Sequence, residues 1–442
     1  MIFTDPYDIP RALMAEQRFQ SLPGFRDFTP RDCAIRNYLF SIWRGIAHRY
    51  GFVEYEAPIV ESTELYLKKS GGELTTQLFR FEDQGGRDIT LRPELTASLA
   101  RIVGANQREF PKPLKWFEIG PCFRYEKPQK GRGREFIQFN ADIIGEADAA
   151  ADAELISMAI DTMLALGFKK GDFIIRSSDR KSWLDFCDTH NIGDPTEFLS
   201  IIDRLEKMKE EKLKEQLSTF GVSLQQVTDF INDPKNASDT FREIESNLAA
   251  RGLGEFFELD LTIVRGLAYY TGAVFEIFDT RKSMRAIAGG GRYDGLLKTL
   301  SNGAADLPAS GFAMGDMVIR NFIEETPNAL LEMEAWLARH PSCDIYVVIA
   351  DEDKRLNALG TITKLRTSGI KVDYGLTKLN VGKQFKKAEQ SGAKLAIVIG
   401  AEFPEIQVKD LQARSESIAQ ADDQLADILS SQLDSPSDNL IA

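Results

Sequence analysis

Apolar side chains recur at three- and four-residue steps at Ile35, Leu39, Ile42, Trp43, Ile46 and Tyr50, directly after Thr29-Pro30. That spacing draws one stripe along a helix. Threonine then proline is a helix start: the hydroxyl caps open backbone N–H groups, and the ring fits the first turn. Residues 52–61 read as an extended segment broken by Pro58. Apolar runs at 77–81, 89–92 and 114–119 predict strands, and 149–166 predicts a helix. This order lacks regular strand–helix alternation. It indicates an α+β domain, a mostly antiparallel sheet flanked by helices.

From residue 179 to 254 the texture changes. Phe198, Ile201, Ile202, Leu205 and Met208 repeat at helical spacing between Lys and Glu, which predicts a helical insertion with a solvated charged face. Strands resume at 257–264 and 273–278. Further on, apolar strands at 344–350 and 393–400 are separated by helices at 356–366 and 381–390. Such alternation predicts a small α/β domain with some parallel pairing. The expected organisation is a domain of residues 1–325 interrupted by the 179–254 insertion, a linker at 326–341, an α/β domain at 342–430 and a flexible tail at 431–442. Residues 1–20 read as a weakly ordered arm.

Composition narrows the class. With 43% hydrophobic and 27% charged residues the chain is an ordinary globular protein. No apolar run reaches membrane-spanning length. The N-terminus has no charged-then-apolar signal pattern, so a cytoplasmic location is expected. Cys33, Cys122, Cys187 and Cys343 are scattered without CxxC spacing, which argues against a zinc or disulfide framework. A net charge of -13 argues against a general nucleic-acid coat but leaves room for a local basic patch. His48, His190 and His340 fall outside every motif below. Histidine base chemistry and protein-ligated metal are therefore not expected, nor is a prosthetic group.

The chemistry concentrates in Cys122–Gly145, which reads as a strand, a basic glycine-containing loop and a second strand. Such a hairpin is a way to hold ATP. Arg124 ends the first strand, and its planar guanidinium suits a phosphate. Phe136 opens the second strand and offers a ring to adenine. Lys127, Lys130, Arg132 and Arg134 are long enough to reach a polyanion. Gln138 and Asp142 share a strand face; an amide can orient an amino acid, and a carboxylate can accept from an imidazole N–H. In Leu91–Thr96, read as extended backbone, Glu94 and Thr96 point the same way and can accept an ammonium group together. A turn with a capping threonine fits that hexapeptide equally. The glycines of Ala288–Leu296 would let backbone approach a ligand. Lys383, Lys386 and Lys387 share one helix face at spacings suited to phosphate, although charge alone describes a solvated face.

These motifs resemble those of class II aminoacyl-tRNA synthetases, and two resemble signatures of the histidyl-tRNA synthetase family. The RxExPQxGRxRxF core from Arg124 to Phe136 resembles motif 2. RGLAYY at 265–270 resembles RGLDYY, with Ala268 for the usual Asp, and GGGRYDG at 289–295 resembles the second signature. The helix, strand and proline of residues 30–61 resemble motif 1, the homodimer interface of that family. Residues 381–400 resemble its anticodon-binding domain. The resemblance covers residues 20–430. It implies a ligase of protein biosynthesis that joins histidine and ATP, with Mg²⁺ on the pyrophosphate, to histidyl-adenylate and then charges tRNA(His).

The implied catalytic cations are Arg124 and Arg265, on either side of the α-phosphate. Glu126 and Phe136 join Arg124 in holding ATP. Histidine falls to Glu94, Thr96, Gln138, Asp142, Tyr270 and Tyr293. Contacts with tRNA fall to Gln129, Lys130, Arg134, Lys383, Lys386 and Lys387. Asp142 stands where the family more often has Glu. Motif 3 departs further: after Gly311–Gly315 the expected arginine is Val318. Arg320 lies two positions on, about 200° around a helix, and cannot share that face. The missing motif 3 arginine and Ala268 favour an alternative, the non-catalytic synthetase-like regulatory subunit of ATP phosphoribosyltransferase. The retained arginines, basic loop and C-terminal domain oppose it.

Overall fold

A computed structural model describes residues 19–69, 74–205, 208–264, 270–281 and 285–433. The chain divides between Leu331 and Glu332 into two compact units. In the first, the strands are β1 (Val53–Glu54), β2 (Val60–Ser62), β3 (Phe79–Glu82), β4 (Asp88–Leu91), β5 (Leu114–Phe123), β6 (Glu135–Ile144), β7 (Phe173–Asp179), β8 (Phe257–Leu259), β9 (Ala273–Asp279), β10 (Ala288–Arg292) and β11 (Ala309–Gly315). Eight of them form one sheet in the order β1-β5-β6-β11-β10-β9-β7-β8. The edge pairs β1·β5 and β7·β8 are parallel, and every pair between β5 and β7 is antiparallel. A separate three-stranded antiparallel sheet has the order β2-β4-β3. This largely antiparallel sheet with flanking helices is the α+β domain that the sequence leads one to expect.

Helix α1 (Pro30–Arg49) starts as its sequence predicts. Thr29 and Asp32 exchange capping hydrogen bonds, and Pro30 occupies the first turn. Its buried stripe includes Leu39, Ile42 and Trp43. The Trp43 ring stacks at 5.5 Å on Phe139 of β6, which meets Phe312 of β11 edge-on. The odd-numbered residues of β6 thus face the helical layer, and the even-numbered ones face the other way. Helices α2 (Thr63–Lys69), α3 (Thr96–Asn106) and α4 (Ala149–Ala165) follow.

The predicted insertion contains α5 (Arg180–Thr189), α6 (Pro195–Ile202), α7 (Glu210–Ser218), α8 (Leu224–Asn232) and α9 (Asp239–Ala250). Trp183, Phe186, Phe198, Leu213 and Val227 close a core within it. The strand expected over 257–264 is shorter: β8 stops at Leu259, because the Asp260 carboxylate accepts from Thr262 N at 3.0 Å and turns the chain. Likewise Leu74–Gln77 is a 3₁₀ turn, and β3 starts only at Phe79. Helices α10 (Leu296–Leu300), α11 (Asp316–Glu325) and α12 (Pro327–Arg339) complete this part of the chain.

The second unit has its own sheet of β12 (Ile345–Ile349), β13 (Val372–Tyr374), β14 (Leu395–Ile399), β15 (Glu405–Asp410) and β16 (Ser415–Gln420), in the order β13-β12-β14-β15-β16. As expected, part of it is parallel: β12 runs parallel to both β13 and β14. Helices α13 (Arg355–Thr367), α14 (Val381–Ser391) and α15 (Leu425–Leu433) belong to it. Buried Gln384 pins α14 to β12 by accepting from Ile349 N and donating to Ile349 O, both at 2.8 Å.

Candidate active site

The sheet register builds the site. Opposed residues on neighbouring strands share a face, so Gln138, Asn140 and Asp142 of β6 lie beside Gly315, Ala313 and Gly311 of β11. On the other side of β6 they meet Gly120, Glu118 and Trp116 of β5. Beyond β11 come Gly289 and Gly291 of β10, then Glu276 and Val274 of β9. One side of the sheet therefore carries acids and amides on its flanks and small residues at its centre. The small residues are required. A Cβ on Gly311 would stand 2.0 Å from Asp142 Oδ1, and one on Gly291 would stand 2.6 Å from the Ala273 carbonyl. Sequence alone suggested that the glycine triplet admits a ligand. Gly289 and Gly290 do line the cavity, but Gly290 and Gly291 are compelled first by neighbouring strands.

Over this floor lies a cavity of about 400 Å³. Arg124, Glu126, Phe136, Gln138 and Tyr270 line it together, as do Glu276, Arg285 and Val318. The hairpin is as expected: β5 and β6 pair from Leu114↔Ile144 to Phe123↔Glu135, and Arg124 follows with its N–H on the Arg134 carbonyl at 2.9 Å. Arg124 Nε donates to the Pro93 carbonyl at 2.9 Å, and its guanidinium lies 5.2 Å from the Phe136 ring centre. The cation is thus held in place at the cavity wall, and a guanidinium has further N–H groups to offer a ligand.

Glu94, Thr96, Asp142 and Tyr293 are buried beside the cavity rather than lining it. The backbone at Glu94–Thr96 is not extended, contrary to the sequence expectation. Leu95 is helical, and Thr96 is the first residue of α3. The turn replaces the strand because Glu94 Oε1 accepts from Ala97 N at 3.0 Å, capping the helix in place of a threonine. Its Oε2 is held by the ammonium of Lys69, at the end of α2. Thr96 Oγ1 accepts from Asn140 Nδ2 at 3.3 Å.

Asp142 behaves as an acid set apart. Burial pushes its carboxyl up to about 7, with Glu94 and Glu118 adding to the rise; the Tyr293 hydroxyl and Lys69 oppose it. The Tyr293 hydroxyl donates to Oδ1. Among the described residues, Asp142 Oδ2 and Asn140 Oδ1 are buried acceptors without a donor. Such orphans are rare in a folded interior, and two on one strand face suit a ligand rich in N–H groups. Asn140 escaped the sequence reading, although its place between Gln138 and Asp142 on one strand face was a signal for it. Lys69, Glu276, Arg180 and Arg285 were also missed. Arg180 Nη1 donates to the Tyr270 carbonyl at 3.1 Å and fixes that tyrosine's backbone.

Two arginines within the motifs turn out to be framework. Arg92 is fully buried, donating to Glu118 Oε1 at 2.6 Å and to the Ala57 carbonyl at 2.7 Å. Arg292 reaches Asp152 Oδ2 through Nε at 3.0 Å, and Ser310 Oγ donates to the other oxygen at 2.6 Å. Arg265 lies outside the described residues, as does Ala268. Val318 stands at the cavity, whereas Arg320 points away and pairs with Asp32 at 3.1 Å and Glu324 at 3.0 Å.

The expected tRNA contacts fall into two groups. Gln129 bridges to Arg132, Lys130 pairs with Glu325 at 2.6 Å, and Arg134 lies folded on the Tyr125 ring at 4.0 Å. Lys383, Lys386 and Lys387 are all exposed on α14, opposite buried Gln384 and Ala388.

Comparison with known proteins agrees with this architecture. A family model described as histidyl-tRNA synthetase matches residues 24–178 and 188–317, and one described as anticodon binding domain matches 344–432. A histidine–tRNA ligase of Opitutus terrae is 41% identical over 425 residues, covering 90% of this chain and 95% of that protein. The crystal structure of histidyl-tRNA synthetase from Nostoc sp. PCC 7120 superposes with a TM-score of 0.75 at 24% identity, covering 94% of this chain and all of that one. A Bacillus halodurans structure titled as an ATP phosphoribosyltransferase regulatory subunit/histidyl-tRNA synthetase gives 0.67 at 20% identity, covering 87% of this chain and 100% of that one.

Proposed function

The chain belongs to the histidyl-tRNA synthetase family, and from that premise we infer that it is a ligase that activates histidine with ATP and transfers the histidyl group to tRNA(His). A histidine carboxylate oxygen attacks the α-phosphorus, the bond to the β-phosphate breaks, and pyrophosphate leaves with its electrons. A ribose hydroxyl of the tRNA then attacks the activated carbonyl and releases AMP.

The observation that carries the amino-acid side is the pair of buried acceptors, Asn140 Oδ1 and Asp142 Oδ2, without donors among the described residues. Asp142 takes an imidazole N–H, with Tyr293 fixing the carboxylate and Tyr270 facing the ring from the cavity. Gln138 orients the amino acid between the two regions. Glu94 and Thr96 receive the α-ammonium, which competes with Lys69 for Glu94. Arg124 neutralises the charge that grows at the α-phosphate, and Arg265 is its counterpart; such preorganised donors strengthen toward the transition state. Phe136 stacks on adenine, Glu126 borders the nucleotide, and Mg²⁺ enters with ATP on its phosphates.

A homodimer built on the motif 1 region is supported by the large apolar side chains left exposed there, among them Val53, Ile59 and Val60. Gln129, Lys130 and Arg134 serve the acceptor end of tRNA, and the α14 lysines serve its anticodon end. No helix among the described residues is long and apolar enough to cross a membrane, and the cytoplasm is the proposed location. Val318 favours the regulatory-subunit reading, but that reading does not need the anticodon-binding domain matched at 344–432. Histidine-dependent ATP–pyrophosphate exchange tests the function. Exchange with histidine and with no other amino acid is expected, and well-folded protein that gives none would refute the enzyme.

A further inference from the structure

On the reading of the cavity as an ATP site, we propose that Arg285, in the connection between β9 and β10, binds the terminal phosphates of the nucleotide. Among the described residues, three arginines line the cavity: Arg124, Arg132 and Arg285. Arg124 is braced on Pro93 beside Phe136, and Arg132 reaches Glu126 at 3.0 Å. Arg285 stands by Val318 at the start of α11. The space that a Cβ on Gly131 would fill lies 3.4 Å from Val318 Cγ2, 3.8 Å from Asn321 Nδ2 and 3.9 Å from Arg285 Cδ. Arg285 therefore reaches the phosphate-facing loop and the first turn of α11 together.

Its backbone is well placed for this. Two residues on, Ile287 N donates to the Ile277 carbonyl at 2.8 Å, and the chain enters β10, whose Ala288 and Gly289 border the same cavity. Arg320 supplies nothing here, being paired with Asp32 and Glu324. A nucleoside triphosphate brings about four negative charges, and charge-assisted hydrogen bonds to guanidinium are the strong means of holding them. Histidine sits toward Asp142, so the α-phosphate must lie near Gln138 and Arg124. That leaves the Gly131–Val318 end for the phosphates beyond it. Arg285 thus places a cation where α11 offers Val318 rather than an arginine.

The test is Arg285→Ala, assayed by pyrophosphate exchange and by equilibrium titration with ATP and with AMP. The expected result is a rise of about ten- to a hundredfold in the KM and Kd for ATP. The KM for histidine and the affinity for AMP should stay unchanged. Adding Val318→Arg to that variant places a guanidinium beside the same space, and ATP affinity should recover. Unchanged ATP affinity in Arg285→Ala would overturn the proposal, as would an equal loss for AMP, which would mean contact with the adenosine instead. Failure of the unaltered protein to exchange would count against the enzyme itself, whereas the ATP titrations test Arg285 independently.

Discussion

The two sides of the site solve different problems. Around Asp142 the groups are buried, mutually hydrogen-bonded and placed by sheet register; on the nucleotide side they are arginines on loops, partly open to water. A small ligand with a few N–H donors is selected by buried acceptors, because any ligand lacking those donors leaves them unsatisfied. A polyanion needs charge more than shape, and exposed guanidinium groups deliver it without the desolvation penalty of burial. The buried side should therefore govern which amino acid reacts, and the open side how tightly ATP is held and how fast it reacts.

The largest effect that can break this contrast is at Arg124. Arg124→Ala should lower the exchange rate constant by about 10²–10³, as loss of a preorganised charge-stabilising donor does, with a smaller change in histidine KM. If histidine KM moves more than the rate, the two sides are not separate. Next comes Tyr293→Phe, which deletes the donor to Asp142. Wild-type histidine affinity should change near pH 7 as Asp142 titrates, and the variant should move that step upward because the lost hydrogen bond favoured the carboxylate.

The same carboxyl sets a sign for stability. Its folded value lies above its ordinary 3.8, so without ligand the stability it contributes is complete below that pH and is lost as pH rises through about 7. Thermal melts should follow that direction, and Asp142→Asn should flatten it. Smaller again is the joint change of Lys383, Lys386 and Lys387 to Ala. Exchange should be unaffected, and the salt dependence of tRNA binding should weaken by about one unit of slope per lost phosphate contact. Least is Arg320→Ala, which removes a partly exposed bridge to α1 worth less than about 1 kcal/mol and should leave ATP KM alone.

The open side was the more legible in the sequence. Arg124, Phe136 and the basic loop form one continuous run, and a hairpin keeps sequence neighbours together in space. The helix-phase argument for Arg320 also holds, because phase depends only on local geometry. The buried side was legible along β6, where alternation places Gln138 and Asp142 on one face, yet Asn140 between them was passed over. Leu91–Thr96 misled because a strand ends and a helix begins inside six residues, and the capping group is Glu94 rather than a threonine. Lys69 and Arg285 were invisible: each meets the site through a tertiary approach from a distant segment, and no periodicity records that. Arg92 and Arg292 show the reverse, motif residues whose charge is consumed by the framework.

The division of labour is tested most directly by measuring both substrate KM values for Asp142→Asn in the pyrophosphate-exchange assay at pH 8. Loss of one charged hydrogen bond in a buried site predicts a histidine KM raised by about ten- to a hundredfold, with the ATP KM within about twofold of the unaltered enzyme. An unchanged histidine KM, or a parallel rise in both constants, would contradict the assignment of the buried carboxylate to histidine.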